Sequence, residues 1–400
     1  MGLNDVVSAE RVHIGFFGMR NAGKSSLVNA VTGQSLSVVS DVKGTTTDPV
    51  KKAMELLPIG PVVILDTPGI DDEGDLGKLR VEKAMQMLSS TNIAVLVVDA
   101  NQGMSQEDLF LENQFKERKI PYIVAFNKAD LIDKENDLNE NQLYVSAKTD
   151  KGVKELKELL GKISKSISSP KLLVKDLLNK GDIVVLVTPI DEAAPKGRII
   201  LPQQMVLRDI LDAHAIAIVC QDDELDQTLK SLAKAPRMVI TDSQVFGKVS
   251  KVTPSNVPLT SFSILMARYK GDLKELIHGF SVLKSLKDGD KVLISEGCTH
   301  HRQCNDIGTV KMPKWIESFS LAKPEYSFTS GGEFPQDLSP YRVIVHCGGC
   351  MINEAEMKHR IERAQKQGVP IVNYGIAIAG MNGILKRSLE LFPDISAMLN

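Results

Sequence analysis

The glycine-rich segment at residues 14–26 constrains the fold of this chain more than any other part of its sequence. Residues 14–17 are typical of a short buried β-strand, and they run directly into Gly18-Met19-Arg20-Asn21-Ala22-Gly23-Lys24-Ser25-Ser26. An apolar-periodic segment that begins near Leu27 predicts a helix. Strand, glycine-rich loop and helix in this order direct backbone N–H groups at phosphate oxygens. The sequence therefore predicts an α/β domain of the phosphate-loop type.

Two side chains of this loop have predicted contacts with the phosphates and their metal ion. Lys24 would place a cation at the β and γ phosphates, and Ser25 would offer its hydroxyl to Mg²⁺. Ala22, Gly23 and Ser26 complete the predicted binding loop. The motif alone does not separate ATP-binding from GTP-binding proteins.

Two motifs further along the chain favour guanine. Asn127-Lys128-Ala129-Asp130 follows an apolar strand predicted at residues 122–126. The carboxylate of Asp130 can accept from both N–H groups of the guanine edge, a pairing that adenine cannot make. Ser146-Ala147-Lys148 follows residues 143–145 and completes the predicted base pocket. Together with the phosphate loop, these motifs predict GTP as the ligand.

A motif between them predicts the metal shell and the response to the γ phosphate. Asp66-Thr67-Pro68-Gly69 follows the apolar residues 62–65, so Asp66 would hold the Mg²⁺ shell and the Gly69 N–H would contact the γ phosphate. Ile70 stands where Ras-like enzymes carry a water-orienting glutamine. We therefore expect slow hydrolysis, or hydrolysis that depends on a cation or a partner. The acidic residues 71–75 predict a mobile second switch.

The middle of the chain predicts structure without visible chemistry. Apolar strands at residues 182–187, 215–220 and 238–241, with a helix around 224–233, indicate a β-α-β unit. Cys220 ends one of these strands, which favours a buried core thiol over a metal ligand. The absence of a catalytic constellation in this sequence suggests a spacer or oligomerisation role.

The last part of the chain carries a cysteine and histidine pattern. Cys298-Thr299-His300 and His346-Cys347-Gly348-Gly349-Cys350 each follow a predicted strand, at residues 291–295 and 342–345. In a parallel sheet both groups would lie at the carboxyl edge, where ligands bind. Asn353, with Glu356 three residues later, predicts a helix start whose positive end favours an anionic, thiolate-bound group.

The spacing leaves several sites open. A Cys-Gly-Gly-Cys redox pair, a structural zinc on three sulfurs and a histidine, and a 4Fe-4S cluster on three thiolates all fit it. Cys304 is an alternative third or fourth ligand. The open position of a cluster could go to a nearby imidazole or carboxylate, and the candidates are His300, His301, His346 and Asp306.

The first switch region resembles that of the TrmE and Era class of GTPases. Gly44 and the following Thr45-Thr46-Thr47-Asp48 fit the Gly-x-Thr-x-Asp pattern of that class. The resemblance implies that Thr46 is a ligand of Mg²⁺ and the γ phosphate, acting beside Lys24, Asp66 and Gly69 in catalysis. It also implies that Asn21 helps to bind K⁺ beside the phosphates.

The order of all these motifs resembles the HydF family, GTPases that mature FeFe-hydrogenase. Its members carry an N-terminal GTPase, a middle dimerisation domain and a C-terminal cluster domain marked by Cys-x-His and His-Cys-x-x-Cys. The resemblance implies a homodimer with a 4Fe-4S cluster on Cys298, Cys347 and Cys350. It further implies a scaffold that receives a di-iron precursor, built with radical maturation enzymes, and delivers it to apo-hydrogenase.

We therefore predict three α/β domains: a phosphate-loop GTPase domain at residues 1–168, a dimerisation domain at 169–265 and an iron-sulfur cluster domain at 266–400. The net charge of −2 gives no overall reason to expect a nucleic-acid partner. Apolar runs are far shorter than the ~20 residues that span a bilayer, and no leader is evident, so we expect a cytoplasmic protein. The alternatives are an RNA-modification or ribosome-assembly GTPase with a zinc site, and a metal-insertion GTPase that transfers a single nickel or zinc ion.

Overall fold

The computed structural model describes residues 8–34, 50–67, 69, 74–133, 137–167, 172–190, 199–297 and 306–397. The chain divides into two compact units, Met1–Pro170 and Lys171–Asn400. Each unit has its own sheets and its own buried apolar clusters.

The described residues of the first unit form a six-stranded sheet with helices on its faces. Its strands are β1 (Val12–Phe17), β2 (Val50–Leu56), β3 (Gly60–Asp66), β4 (Ile93–Asp99), β5 (Tyr122–Asn127) and β6 (Gln142–Tyr144). Its helices are α1 (Lys24–Thr32), α2 (Gly74–Ser89), α3 (Gln106–Glu117) and α4 (Val153–Ile167). The spatial order is β2-β3-β1-β4-β5-β6, and only β2 pairs antiparallel among the described strands.

The composition of the central strands explains their position. β4 is apolar along almost its whole length and is buried, as expected of a parallel strand covered on both faces.

α3 begins where Ser105 and Asp108 cap each other's backbone N–H groups. α4 is an amphipathic helix that buries Val153, Leu156 and Leu160 on one face.

In the part of the second unit that the structure describes, the strands form two parallel four-stranded sheets. The first has the order β10-β9-β7-β8, built from β7 (Ile183–Val187), β8 (Ile216–Cys220), β9 (Met238–Thr241) and β10 (Leu259–Ser261). Its helices are α5 (Leu201–Asp212), α6 (Leu225–Ser231), α7 (Phe246–Val252) and α8 (Phe262–Lys270). The predicted β-α-β unit is confirmed, and Cys220 is a buried thiol.

The second sheet has the order β12-β11-β13-β14. Its strands are β11 (Lys291–Glu296), β12 (Glu325–Ser330), β13 (Val343–His346) and β14 (Ile371–Asn373). The helices of this part are α9 (Leu273–Leu283), α10 (Met312–Ser320), α11 (Glu354–Lys366), α12 (Tyr374–Met381), α13 (Leu385–Ser388) and α14 (Pro393–Ser396). The α/β class predicted from the sequence is confirmed.

Both sheets of the second unit share one continuous cluster of buried apolar residues, which runs from Leu173 to Phe392. The predicted boundary between the second and third domains, at residues 265 and 266, falls inside α8. That boundary stays a prediction. Among the described residues, no helix is long and apolar enough to span a membrane.

Candidate nucleotide site and metal centre

The predicted nucleotide-binding residues meet at the carboxyl edge of the first sheet. β1 leads into the phosphate loop, β3 ends at Asp66, β5 ends at Asn127, and Ser146 follows shortly after β6. These strands belong to one parallel array, β3 beside β1 and β6 beside β5. The carboxyl edge of such an array is where ligands of α/β proteins bind.

The phosphate loop is held by contacts that need its residue types. Gly23 has φ 87°, and a Cβ there would collide with the side-chain nitrogen of Asn127. The Lys24 ammonium donates to the carbonyl oxygens of Gly18 at 3.0 Å and Met19 at 2.7 Å. The loop thus curls around its own cation. Exposed Asn21 lies in the same loop with φ 62°.

The arrangement of Ser25 and Asp66 fits a magnesium site. The Ser25 hydroxyl donates to Asp66 Oδ2 at 2.9 Å. Asp66 Oδ1 is buried, with no hydrogen-bond partner among the described residues. The Ser25 hydroxyl and the Asp66 carboxylate, with its buried Oδ1, are hard oxygen donors of the kind that Mg²⁺ prefers.

Gly69 lies against the phosphate loop. A Cβ at this position would be 2.7 Å from Arg20 Cα, so a larger residue would push the two segments apart. Thr46 and Ile70, which carry the other switch predictions, lie outside the described residues, as do the neighbouring positions 44–48 and 70–73.

The base-recognition motif is tied directly to the phosphate loop. Asn127 is 2% exposed; its Nδ2 donates to the Ala22 carbonyl at 2.9 Å, and its Oδ1 accepts from the Ala147 N–H at 3.1 Å. Lys128 forms an ion pair with Asp99 at 2.6 Å. One amide side chain therefore joins three segments of the site.

Asp130 lies at the exposed rim of this pocket, where a base can reach it. The Ser146 hydroxyl donates to its Oδ1 at 2.6 Å. This hydrogen bond is the main reason that the pKa of Asp130 is lowered, and the exposed Lys148 adds to the effect. The ionised carboxylate is the form that accepts from guanine.

The second candidate site lies at the carboxyl edge of the last sheet. β11 and β13 pair in parallel with Ser295 opposite His346, so the strands that precede the two groups end at the same edge of the sheet. The position of residues 298–300 at that edge stays a prediction. Cys347 Sγ accepts from the Gly297 N–H at 3.0 Å and the Gly349 N–H at 3.4 Å. Backbone donors aimed at a sulfur stabilise negative charge on it, which fits a thiolate ligand.

Cys350 lies in the same loop and, like Cys347, is partly buried. Burial raises the pKa of its thiol, the neighbouring Cys347 adds to that rise, and the positive charge of Lys270 opposes it. α11 begins just after this loop, where Asn353 Oδ1 accepts from the Glu356 N–H at 3.0 Å, as predicted. The positive end of α11 therefore follows the two cysteines closely along the chain.

The His346 ring is fully buried and both of its nitrogens are engaged. Nδ1 lies 2.7 Å from the Cys347 carbonyl oxygen, and Nε2 lies 3.1 Å from Nη1 of buried Arg360. Because a carbonyl only accepts and a guanidinium only donates, the ring is the neutral tautomer with its proton on Nδ1. To bind a metal, the ring would have to release one of these partners. Its role as a fourth ligand stays a prediction.

The other predicted ligands are not brought together by the described residues. Cys298, His300, His301 and Cys304 lie outside them. Asp306 instead caps a helical turn, accepting from the Thr309 N–H and hydroxyl at 2.9 Å each. Within the part of the chain that the structure describes, no group of three or more His, Cys, Asp or Glu side chains is placed to hold a metal.

Family-wide sequence models match three consecutive parts of this chain. The hydrogen maturase F dimerization domain matches residues 173–271, and the hydrogen maturase F tetramerization domain matches residues 274–391. A model described as a 50S ribosome-binding GTPase matches residues 13–128. The chain belongs to the HydF family. The resemblance predicted from its motifs is confirmed.

Curated relatives cover only part of this HydF-family chain. The tRNA modification GTPase MnmE of Legionella pneumophila (strain Corby) is 34% identical over 160 residues, 40% of this chain and 36% of that protein. MnmE of Acetivibrio thermocellus is 29% identical over 208 residues, 49% of this chain and 44% of that protein. The chain thus spans less than half the length of these relatives. A solved structure of Era with MgGDPNP and a 16S ribosomal RNA segment is 20% identical over 52% of this chain and 91% of its own, with a TM-score of 0.36.

Two buried basic residues near the cysteines of this HydF-family chain were not predicted from the sequence. Arg360 is fully buried; it donates to Glu356 Oε1 at 2.9 Å and to the Gly331 carbonyl at 2.7 Å, and its guanidinium lies over the Phe334 ring. Lys270 is 1% exposed and contacts the Cys350 loop. A basic residue in an amphipathic helix ordinarily predicts a solvated face, so neither position gave a signal.

Proposed function

We propose that this chain is a GTP-hydrolysing scaffold that binds a 4Fe-4S cluster and assembles or delivers the di-iron precursor of FeFe-hydrogenase. The observation that carries the proposal is the thiol pair Cys347 and Cys350, which lies at a sheet edge inside a segment matching the hydrogen maturase F tetramerization domain. The same chain holds Ser25 and Asp66 in an arrangement suited to Mg²⁺.

The nucleotide role follows from groups that are already oriented. Lys24 would turn from the Gly18 and Met19 carbonyls to the β and γ phosphates, while Ser25 and Asp66 would hold Mg²⁺. We propose Thr46 as the additional ligand and Gly69 as the γ-phosphate contact. Hydrolysis is slow, because Ile70 has no group that can orient water. We propose that K⁺ bound at Asn21 stimulates it.

The metal role rests on the chemistry of the donors. The N–H groups on Cys347 Sγ and the buried Lys270 beside Cys350 all favour negative charge at this loop. We propose Cys298, Cys347 and Cys350 as the cluster ligands, with His300 and His346 as candidates for the fourth position. A cluster bound by three thiolates supplies one iron with an exchangeable position. The di-iron precursor is cargo, received from radical maturation enzymes and passed to apo-hydrogenase.

We propose that the chain works in the cytoplasm as a homodimer, and that β8 forms part of the interface. β8 is an edge strand of its sheet, and it exposes Ile216 by 50% and Val219 by 47%. An unpaired edge with exposed apolar side chains pairs readily with a second copy, and this strand lies in the segment that matches the dimerization domain. Ile216→Lys with Val219→Lys should convert the dimer to monomer in sedimentation equilibrium; an unchanged dimer would place the interface elsewhere.

Anaerobic purification tests the central proposal. The protein should be brown and contain iron and sulfide in the ratio of a 4Fe-4S cluster, with the spectrum of a reducible cluster. Zinc alone would overturn the proposal and favour an RNA-related GTPase with a structural zinc site. A single nickel or zinc ion released on GTP hydrolysis would instead favour metal insertion.

A further inference from the structure

A lysine from outside the cysteine motif contacts the loop that carries it. Lys270 is the last residue of α8 and is 1% exposed. Its ammonium donates to the carbonyl oxygens of Gly349 at 3.4 Å, Cys350 at 3.2 Å and Ile352 at 2.9 Å. Removing an ammonium from water is strongly unfavourable unless the new partners replace its hydration. These carbonyls supply part of that replacement.

The three contacts restrain the backbone that presents the thiols. Holding the Gly349 and Cys350 carbonyls fixes the peptide groups on both sides of the Cys350 Cα. The Gly349 N–H is itself a donor to Cys347 Sγ at 3.4 Å. One ammonium therefore acts on the positions of both cysteines through the same short loop.

The charge of Lys270 has a second consequence at this place. Charges in the protein interior are screened less than charges at the surface. Thiolate ligands make an iron-sulfur cluster anionic, and each added electron makes it more so. A fixed positive charge beside the ligand loop therefore stabilises the reduced form more than the oxidised form, since net charge is one of the factors that set cluster potentials.

The contact between Lys270 and the cysteine loop also joins the two segments that match the HydF models. α8 ends within the segment that matches the dimerization domain, and the carbonyl acceptors lie in the segment that matches the tetramerization domain. A displacement of α8 would therefore be felt at the cysteine loop.

We infer that Lys270 is a positioning residue of the metal centre: it holds the 347–352 loop in the conformation that presents both thiols, and its charge raises the reduction potential of a cluster bound there. This inference rests on the proposed function, because it requires an iron-sulfur cluster on Cys347 and Cys350.

The test compares three substitutions in the full-length protein, reconstituted anaerobically. Lys270→Arg keeps the charge, Lys270→Gln keeps a donor without the charge, and Lys270→Met keeps neither. We expect Arg to give a potential close to wild type, Gln to shift it to a more negative value with iron retained, and Met to lower both the potential and the iron content. Dithionite titration followed by electron paramagnetic resonance measures the potential. Lys274→Met, at an exposed position on α9, is the matched control and should behave as wild type.

The outcomes separate this inference from the proposed function. A wild-type protein that binds zinc and no iron-sulfur cluster overturns both. A wild-type cluster whose potential and iron content are unchanged in Lys270→Gln and Lys270→Met overturns the inference alone, as does a Lys270→Arg protein with the same negative shift as Lys270→Gln. If Lys270→Met does not fold, the comparison of Arg with Gln decides, and circular dichroism identifies that case.

Discussion

Two buried lysines in this chain hold glycine-containing loops in the same way. Lys24 is 7% exposed and donates to two carbonyls of the phosphate loop, and Lys270 is 1% exposed and donates to three carbonyls of the cysteine loop. In each case the proposed ligand is an anion, a phosphate in the first loop and a thiolate-bound cluster in the second. They differ in how the chain supplies the cation.

Lys24 lies 5 and 6 residues from its acceptors, whereas Lys270 lies 79 to 82 residues from its own. The first arrangement is built into a local motif and survives wherever that motif folds. The second exists only when α8 packs against α11 and α12 of the last part of the chain. Lys24 and its acceptors lie in one short motif, so the phosphate loop does not depend on distant parts of the fold. The cysteine loop does, because Lys270 reaches it only through the packing of α8.

The largest expected effect comes from removing a thiol of the cysteine loop. Without that thiol, the loop cannot bind the anionic cluster that we propose there. Cys347→Ala or Cys350→Ala should lose all cluster iron and all hydrogenase activation, and Cys298→Ala should do the same. Each variant should still hydrolyse GTP, because the phosphate loop lies in the other compact unit. Iron analysis, a maturation assay and phosphate release measure the three properties.

Cys220→Ala is the matched control, since Cys220 is a buried thiol of β8 and should leave the iron content unchanged. Cysteine variants that still matured hydrogenase would end the scaffold proposal. Variants that lost folding together with function would indicate a closed structural zinc site.

Removing Lys24, the buried cation of the phosphate loop, should impair GTP hydrolysis and leave the cluster in place, the opposite of the cysteine variants. Lys24→Ala should lower GTP hydrolysis by about 100-fold or more, since a preorganised group that stabilises transferring phosphate is lost. The cluster should be retained and hydrogenase activation impaired. Lys154→Ala changes an exposed lysine of α4 and should leave all three properties intact. Loss of iron in Lys24→Ala would contradict the separation of the two sites.

A smaller effect is expected at the base pocket. Asp130→Asn removes the ionised acceptor that Ser146 holds at the rim, and it should reduce the preference for GTP over ATP by about 100-fold, the equivalent of weakening hydrogen bonds to a charged group. Competition binding with both nucleotides measures the preference. If ATP competes as well as GTP with the wild-type protein, the guanine assignment is wrong.

The smallest effect concerns the monovalent cation, since no group of the protein is removed. GTP hydrolysis should be faster in K⁺ than in Na⁺ at equal ionic strength, because Asn21 would place K⁺ beside the phosphates where Ile70 gives no catalytic help. Phosphate release in the two salts is the measurement. Equal rates would remove the role proposed for Asn21.

The sequence predicted those features that depend on neighbouring residues. The strands before each motif and the Asn353 cap follow from local patterns, and the structure confirms them. Arg360 and Lys270 could not be predicted, because their acceptors come from segments far along the chain. The contact of His346 Nε2 with Arg360 could not be predicted for the same reason.

The continuous apolar cluster of the second unit argues against dividing the chain at the junction between its two HydF segments. α8 and α12 pack against each other from either side of the junction between residues 271 and 274, and the Arg387 guanidinium donates to the carbonyls of Ser250 and Thr253 across it. A protein ending at that junction would expose the apolar surface that its missing half covers. The dimerization and tetramerization segments therefore share one compact unit and one apolar core, and we expect them to unfold together.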